Sequence, residues 1–257
     1  AAHPEHFAAG PDHVLPRGAR RVCVLGGDGA VQAIVDHLAR RAPGSAMPQL
    51  LVLGGGRTNL TAADLHGSGS ALKKLERALI RSARDPAGGF ELQHRHTLVM
   101  EQAPAPPRHG FFVAGAIVDS LIRRCHHDRA TGSGRLRTGT HSTALTLTKE
   151  AIPALRGRAP YEFPELDLEV PGLGRLHEPM RLLLASTLSH DNRMLNPYAD
   201  RGAGILRVTA VTAGARGFWR SLPRLVTGRY SEAMDIGRGY LSGRCDGFLV
   251  RGLDAYT

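Results

Sequence analysis

Val22-Cys23-Val24-Leu25-Gly26-Gly27-Asp28-Gly29-Ala30-Val31 is the stretch that decides the fold. Four apolar residues stop at Gly26-Gly27-Asp28-Gly29. Helical spacing begins at once, with Val31, Ile34, Val35 and Leu38 at i, i+3, i+4 and i+7. A strand running through glycines into a helix is the layout that binds phosphate. The glycines let the backbone approach the anion, and the free N–H groups and dipole at the helix start attract it. Asp28 adds a carboxylate where a phosphate-bound Mg²⁺ would sit.

A second apolar run, Leu50-Leu51-Val52-Leu53, ends in Gly54-Gly55-Gly56-Arg57-Thr58-Asn59. Two strand ends about 25 residues apart with a helix between them make one βαβ unit. Such a crossover is right-handed and brings both loops to the carboxyl edge of one parallel sheet. There Arg57 can neutralise phosphate charge, and Thr58 or Asn59 can bond a ribose or phosphate oxygen. Two unrelated glycine turns are the rival reading, since glycine serves any turn that needs φ > 0.

These two loops together resemble the catalytic domain of diacylglycerol kinases and related lipid kinases. That family carries Gly-Gly-Asp-Gly-Thr and then Pro-x-Gly-Thr-x-Asn-Asp at this separation. The likeness continues through a helix at residues 70–84, a strand at 94–100 and Phe111-Phe112-Val113-Ala114-Gly115-Ala116, then residues 182–187, 204–212 and a helix near 218–227. The resemblance implies an α/β fold: an N-terminal Rossmann-like nucleotide-binding domain, partial here, at residues 1–92, and a C-terminal antiparallel β-rich, sandwich-like substrate domain at 93–257. It implies ATP and Mg²⁺ as cofactors. The nucleotide would lie at Gly26, Gly27, Asp28, Gly29, Gly54, Gly55, Gly56, Arg57, Thr58 and Asn59, and the metal at Asp28. The substrate would be a lipid hydroxyl such as that of diacylglycerol. The family's general base lies in an Asp-Gly-Glu motif, for which Asp246-Gly247-Phe248 is the nearest match; the motif itself is expected beyond Thr257, in a longer protein.

The chain departs from the pattern at four places. Ala30 and Arg57 stand where the family has threonine, Gly54 replaces the proline, and Leu60 takes the place of the second acidic residue. Ala30, Arg57 and Leu60 favour a non-enzymatic alternative, a nucleotide-binding pseudokinase or regulatory protein. An NAD kinase also carries Gly-Gly-Asp-Gly, but its later Asn-Glu pair is nowhere in this sequence. The family's structural Mg²⁺ site uses acidic residues just before the glycine matched by Gly204, where this chain has Gly202 and Ala203, with Asp200 further back.

Lys and Arg total 33 against 23 Asp and Glu, a net charge of +10. Aromatics are 5 % of the chain and no basic block is interleaved with them, which argues against nucleic acid. An anionic membrane surface or a solvated basic face accounts for the charge. No apolar run reaches the ~20 residues of a membrane span, so any membrane contact is peripheral. The three cysteines are odd in number and far apart, giving neither a disulfide framework nor a zinc spacing. Cys23 reads as a core residue, and a reducing cytoplasm fits, with the enzyme working at the inner membrane face; a homodimer is left open.

Elsewhere, Leu72, Leu75 and Leu79 share a face of the helix after Ser68 or Ser70, one of which caps it. Asp85-Pro86-Ala87-Gly88-Gly89 reads as the domain boundary. Pro104, Pro106 and Pro107 read as a turn, residues 131–143 as a flexible loop, and 166–170, 182–187 and 205–211 as antiparallel strands. Cys125-His126-His127-Asp128 is a polar helix end rather than a metal site, His94 and His96 alternate on a strand, and His190-Asp191-Asn192 is a loop.

Overall fold

The structure is a computed structural model. It describes residues 19–41, 47–56, 59–66, 69–85, 92–118, 152–157, 162–189 and 196–252. Residues 125–128, 131–143 and 190–192, singled out above, lie outside that set, as do 86–89. The chain divides into two units: Ala1–Phe111 with Leu188–Asn192, and Phe112–Thr187 with Arg193–Thr257.

In the first unit β1 (Arg21–Gly26) and β2 (Gln49–Gly54) pair in parallel, Arg21 opposite Gln49 and Gly26 opposite Gly54. Helix α1 (Asp28–Arg41) crosses between them and buries Val31, Ile34 and Val35 against Val24 and Val52. Asp28 in its first turn and Arg40 and Arg41 in its last complement the helix dipole. A short helix, α2 (Leu60–His66), adds Ala62 and Leu65 to this core.

Several residues sit otherwise than the sequence suggests. Cys23 is exposed and Leu25 is 64 % exposed, because β1 alternates and only its Val22–Val24 face meets α1. The expectation of a core Cys23 treated the strand as covered on both sides. Helix α3 (Ala71–Arg84) is capped by the Ser70 side chain, which accepts from the Lys73 N–H. Its half-buried row is Ala71, Lys74, Leu75, Ala78 and Ser82, while Leu72 and Leu79 are exposed. The small side chains in that row allow close approach to β2, on which α3 packs.

Residues 92–97 form no strand; β3 (Leu98–Gln102) begins only after them. The Arg95 side chain is instead drawn to Asp64, and His94 and His96 share no strand face. The proline-rich stretch is partly a strand. β4 (Ala105–Gly110) pairs with β3 alone, where prolines lacking an N–H are tolerated on an edge, and the register slips between Met100 and Gln102 beside them. The hairpin is tied to α1 by the His109 N–H, which donates to Asp36 Oδ1 at 2.9 Å. It therefore belongs to the first unit, and the units part at Phe111/Phe112, past the Asp85–Gly89 stretch.

The second unit holds an antiparallel β-sheet of six strands: β5 (Phe112–Ala116), β6 (Glu165–Val170), β7 (Gly174–Ser186), β8 (Leu206–Thr212), β9 (Tyr240–Cys245) and β10 (Leu249–Arg251). They form one connected sheet, not two separate ones, because the 13-residue β7 pairs with β6 over its first half and with β5 and β8 over its second. Helix α4 (Phe218–Val226) packs Phe218 and Leu225 against Leu182, Val211 and Tyr240. Beneath β8 and β9 a buried polar knot is closed: Thr209 Oγ1 donates to the Pro197 carbonyl at 2.7 Å, Tyr230 Oη to the same carbonyl at 2.9 Å, and Ser242 Oγ accepts the Ala199 N–H at 2.9 Å. Burial raises the Tyr230 phenol above its usual range.

Where β6 runs between β7 and β10, Asp167 accepts two bonds from Arg175, each 2.7 Å, and one from Arg251 of β10 at 3.1 Å. The Arg175 hydrogen bond chiefly holds its carboxyl down at about 2, from an ordinary 3.8. A lowered carboxyl stabilises the fold above the unfolded value and loses that contribution as pH falls through the folded one. The melting temperature of the wild type therefore drops as the pH is lowered from about 4 to about 2, and Asp167→Asn flattens that slope; an unchanged slope would show that Asp167 does not carry it.

Candidate functional site

The two glycine loops meet. Gly55 N–H donates to the Gly26 carbonyl at 2.9 Å, extending the β1–β2 ladder into the loops. A Cβ on Gly27 would lie 3.2 Å from Gly56 Cα, and one on Gly56 would collide with Gly27 Cα outright. Nothing but hydrogen fits between these backbones. A Cβ on Gly54 would lie 3.0 Å from the Asn59 side chain, and one on Gly26 would lie 2.7 Å from Ala30 Cβ. Gly29 alone differs. It is exposed in the first turn of α1, and a Cβ there would meet nothing within 4 Å.

Asp28 has a role that the sequence did not disclose. Its Oδ2 accepts the Leu60 N–H at 2.9 Å and its Oδ1 the Thr61 N–H at 2.8 Å. The carboxylate of the first loop thus caps the helix that follows the second. A helix leaves its first N–H groups without intrahelical partners, and an anion there satisfies both the bonds and the dipole. Leu60, which lacks the family's carboxylate, contributes its backbone N–H instead.

Asn59 shapes the second loop. Its Oδ1 accepts the Gly56 N–H at 2.7 Å, its Nδ2 donates to the Gly56 carbonyl at 2.6 Å, and its own carbonyl accepts the Ala63 N–H at 2.9 Å. It holds φ +48, a left-handed conformation that asparagine adopts more readily than most residues. Arg57 and Thr58 lie outside the described residues. The structure thus brings together Gly26, Gly27, Asp28, Gly29, Gly54, Gly55, Gly56 and Asn59.

Helix α2 was not anticipated, although Asn59 ahead of Leu60-Thr61-Ala62-Ala63 is an N-cap signal. On it, Asp64 is buried with Arg95 Nε 3.1 Å away and the Ser189 hydroxyl donating to it at 2.8 Å. No spacing in the sequence marks that trio.

Asp246 is exposed in the turn between β9 and β10. Asp200 is 89 % exposed by side chain and pairs with Arg244 at 3.0 Å. Among the described residues no three of His, Cys, Asp or Glu gather as metal ligands. An Mg²⁺ would have to arrive largely coordinated by phosphate and water, which is its usual habit. Asp28, whose two oxygens accept the Leu60 and Thr61 N–H groups, is the one carboxylate within the two loops that such an ion could meet. No described helix is long and apolar enough to cross a membrane.

Comparison with known proteins agrees with this geometry. Residues 2–88 match the family model of the diacylglycerol kinase catalytic domain. A solved structure of a diacylglycerol kinase from Bacillus anthracis str. Sterne superposes with a TM-score of 0.53 at 12 % identity, over 99 % of this chain and 74 % of that one. Two more structures of candidate diacylglycerol kinases from that organism give TM-scores of 0.54 and 0.56, also at 12 % identity, over 91 % and 99 % of this chain and 67 % and 74 % of theirs. At that identity the likeness concerns the fold. No curated protein matches the chain. Over residues 2–88, about a third of its length, the chain is thus similar to the diacylglycerol kinase catalytic domain, and its paired glycine loops lie within that stretch.

Proposed function

We propose that the chain is an ATP-dependent lipid kinase, acting on a lipid hydroxyl such as that of diacylglycerol. The observation that carries this reading is Gly29. Every other glycine of these two loops has a neighbour that a side chain would press on, so packing explains it. Gly29 has none, and glycine inside a helix costs up to about 1 kcal/mol relative to alanine. Its bare Cα beside the N–H groups of α1 leaves room for a phosphate to reach the backbone.

In this reading the loops hold the nucleotide phosphates, and the lipid hydroxyl attacks the γ-phosphorus, giving up its proton to water, as the bond to the ADP oxygen breaks. Bound Mg²⁺ would neutralise charge on the transferring group, and the protein's part is positioning and electrostatics. A second reading, a pseudokinase that binds ATP without turnover, is favoured by Asp28: both of its oxygens accept backbone N–H groups, and Leu60 supplies no second carboxylate.

The test is Gly29→Ala. The added Cβ stabilises α1 by up to about 1 kcal/mol, so the variant melts no lower than wild type. ATP affinity should fall roughly tenfold or more, the scale of one overpacked contact. Unchanged ATP affinity in the variant would remove the argument from Gly29. ATP binding without transfer to diacylglycerol in mixed micelles would select the pseudokinase.

A further inference from the structure

Residues 201–231 contain six arginines and no acidic residue. Helix α4 organises part of that charge. Phe218 and Leu225 are buried, whereas Trp219, Arg220, Pro223 and Arg224 face solvent, with Arg216 exposed just ahead of the helix. Positions i, i+1, i+4 and i+5 form one stripe on a helix. Arg216, Arg220 and Arg224 form no ion pair among the described residues.

Trp219 is 44 % exposed. Its ring stands edge-on to Phe218, centroids 5.1 Å apart, and the exposed Arg156 guanidinium lies 5.4 Å from its centroid. One helical turn before Arg156, Ile152 is 49 % exposed. The platform beneath is fixed. Arg181 lies 4.2 Å from the Phe218 ring centroid and donates to the Ala213 carbonyl at 2.6 Å.

A merely solvated basic face would carry arginines without exposed apolar groups among them. Here a tryptophan and a proline share the stripe with two of the arginines, and an exposed isoleucine lies one turn from the arginine over that tryptophan. That mixture suits the boundary between headgroups and acyl chains, where indole rings settle and guanidiniums reach phosphates. A nucleic-acid backbone would use the arginines and leave the apolar groups wet. We propose that the outer face of α4 is the surface by which the protein docks on an anionic lipid bilayer. The inference deepens the lipid-kinase reading and takes its meaning from it, by naming how the enzyme would reach a membrane-held substrate.

Trp219 is the chain's only tryptophan, so its fluorescence reports on this face alone. The full chain is titrated, without nucleotide, with vesicles of phosphatidylcholine, and with vesicles in which one-third of it is replaced by phosphatidylglycerol. The anionic vesicles should bind and shift Trp219 emission to the blue, the neutral ones should bind weakly, and added salt should loosen the complex. Each arginine near such a surface contributes about fivefold. Arg216→Gln, Arg220→Gln and Arg224→Gln combined should therefore weaken binding roughly a hundredfold while leaving melting and ATP affinity unchanged. The proposal is overturned if the triple variant binds as wild type, if vesicles bind without moving the emission, or if no vesicle binds. A DNA duplex held by the same three arginines in place of vesicles overturns it too and makes the face a nucleic-acid surface. ATP affinity is measured separately, so failure of the nucleotide reading and failure of this one are told apart.

Discussion

Gly56→Ala will melt roughly 6–12 °C below wild type and will lose ATP binding with it. The new methyl would occupy the place of Gly27 Cα, so one of two hydrogen-bonded backbones has to move. Overpacking on that scale costs about 3 kcal/mol, and a domain of this size loses about 2–4 °C per kcal/mol. Gly27→Ala presses on the same contact at 3.2 Å and should give a smaller drop. Calorimetry of Gly56→Ala beside Gly29→Ala checks the argument, since both insert the same methyl into the same pair of loops. Equal melting temperatures would mean that the loops do not meet as described.

The second large effect is at Asp28. Asp28→Ala removes the acceptor for both the Leu60 and Thr61 N–H groups. Loss of a cap costs up to about 2 kcal/mol, and a hydrogen bond to a charged group contributes about 1.5–3 kcal/mol. The expected destabilisation is about 2–3 kcal/mol, most of it local to α2 and visible as faster amide exchange at Leu60 and Thr61. Asp28→Asn keeps one acceptor and should cost about half as much. The pair separates capping from chemistry. If Asp28→Asn stays folded and binds ATP but transfers no phosphate, the charge itself is used in turnover. If phosphate transfer follows stability in both variants, Asp28 serves the kinase only through the loop it holds.

These two sites show what a sequence can and cannot disclose. The strand, loop and helix at Val22–Leu38 were legible because an apolar run, a glycine block and a 3.6-residue period follow one another without interruption. The parallel pairing of β1 and β2 followed from the helix between them, since a crossover of that length lets the second strand run in the same direction. Which glycines serve packing and which leave space was not legible, because Gly27 and Gly56 are constrained by a backbone distant in sequence. The cap made by Asp28 was hidden for the same reason, as its partners lie 32 and 33 residues on. Cys23 was misread because burial of a strand face depends on what covers it, and alternation along β1 does not say. The prolines of β4 concealed a strand, since an edge tolerates residues that a central strand would reject.

Ser189 carries a consequence for how the protein is made. Its hydroxyl reaches Asp64, and Leu188–Asn192 belong with the first unit although 76 residues assigned to the second are synthesised between Phe111 and Leu188. Chains leave the ribosome at roughly 5–20 residues per second. The glycine-loop unit therefore waits on the order of 4–16 s after Phe111 is added before the Ser189 hydroxyl exists. During that interval Asp64 has Arg95 but not Ser189, and a nascent chain stalled before residue 188 displays the loops on an unfinished support.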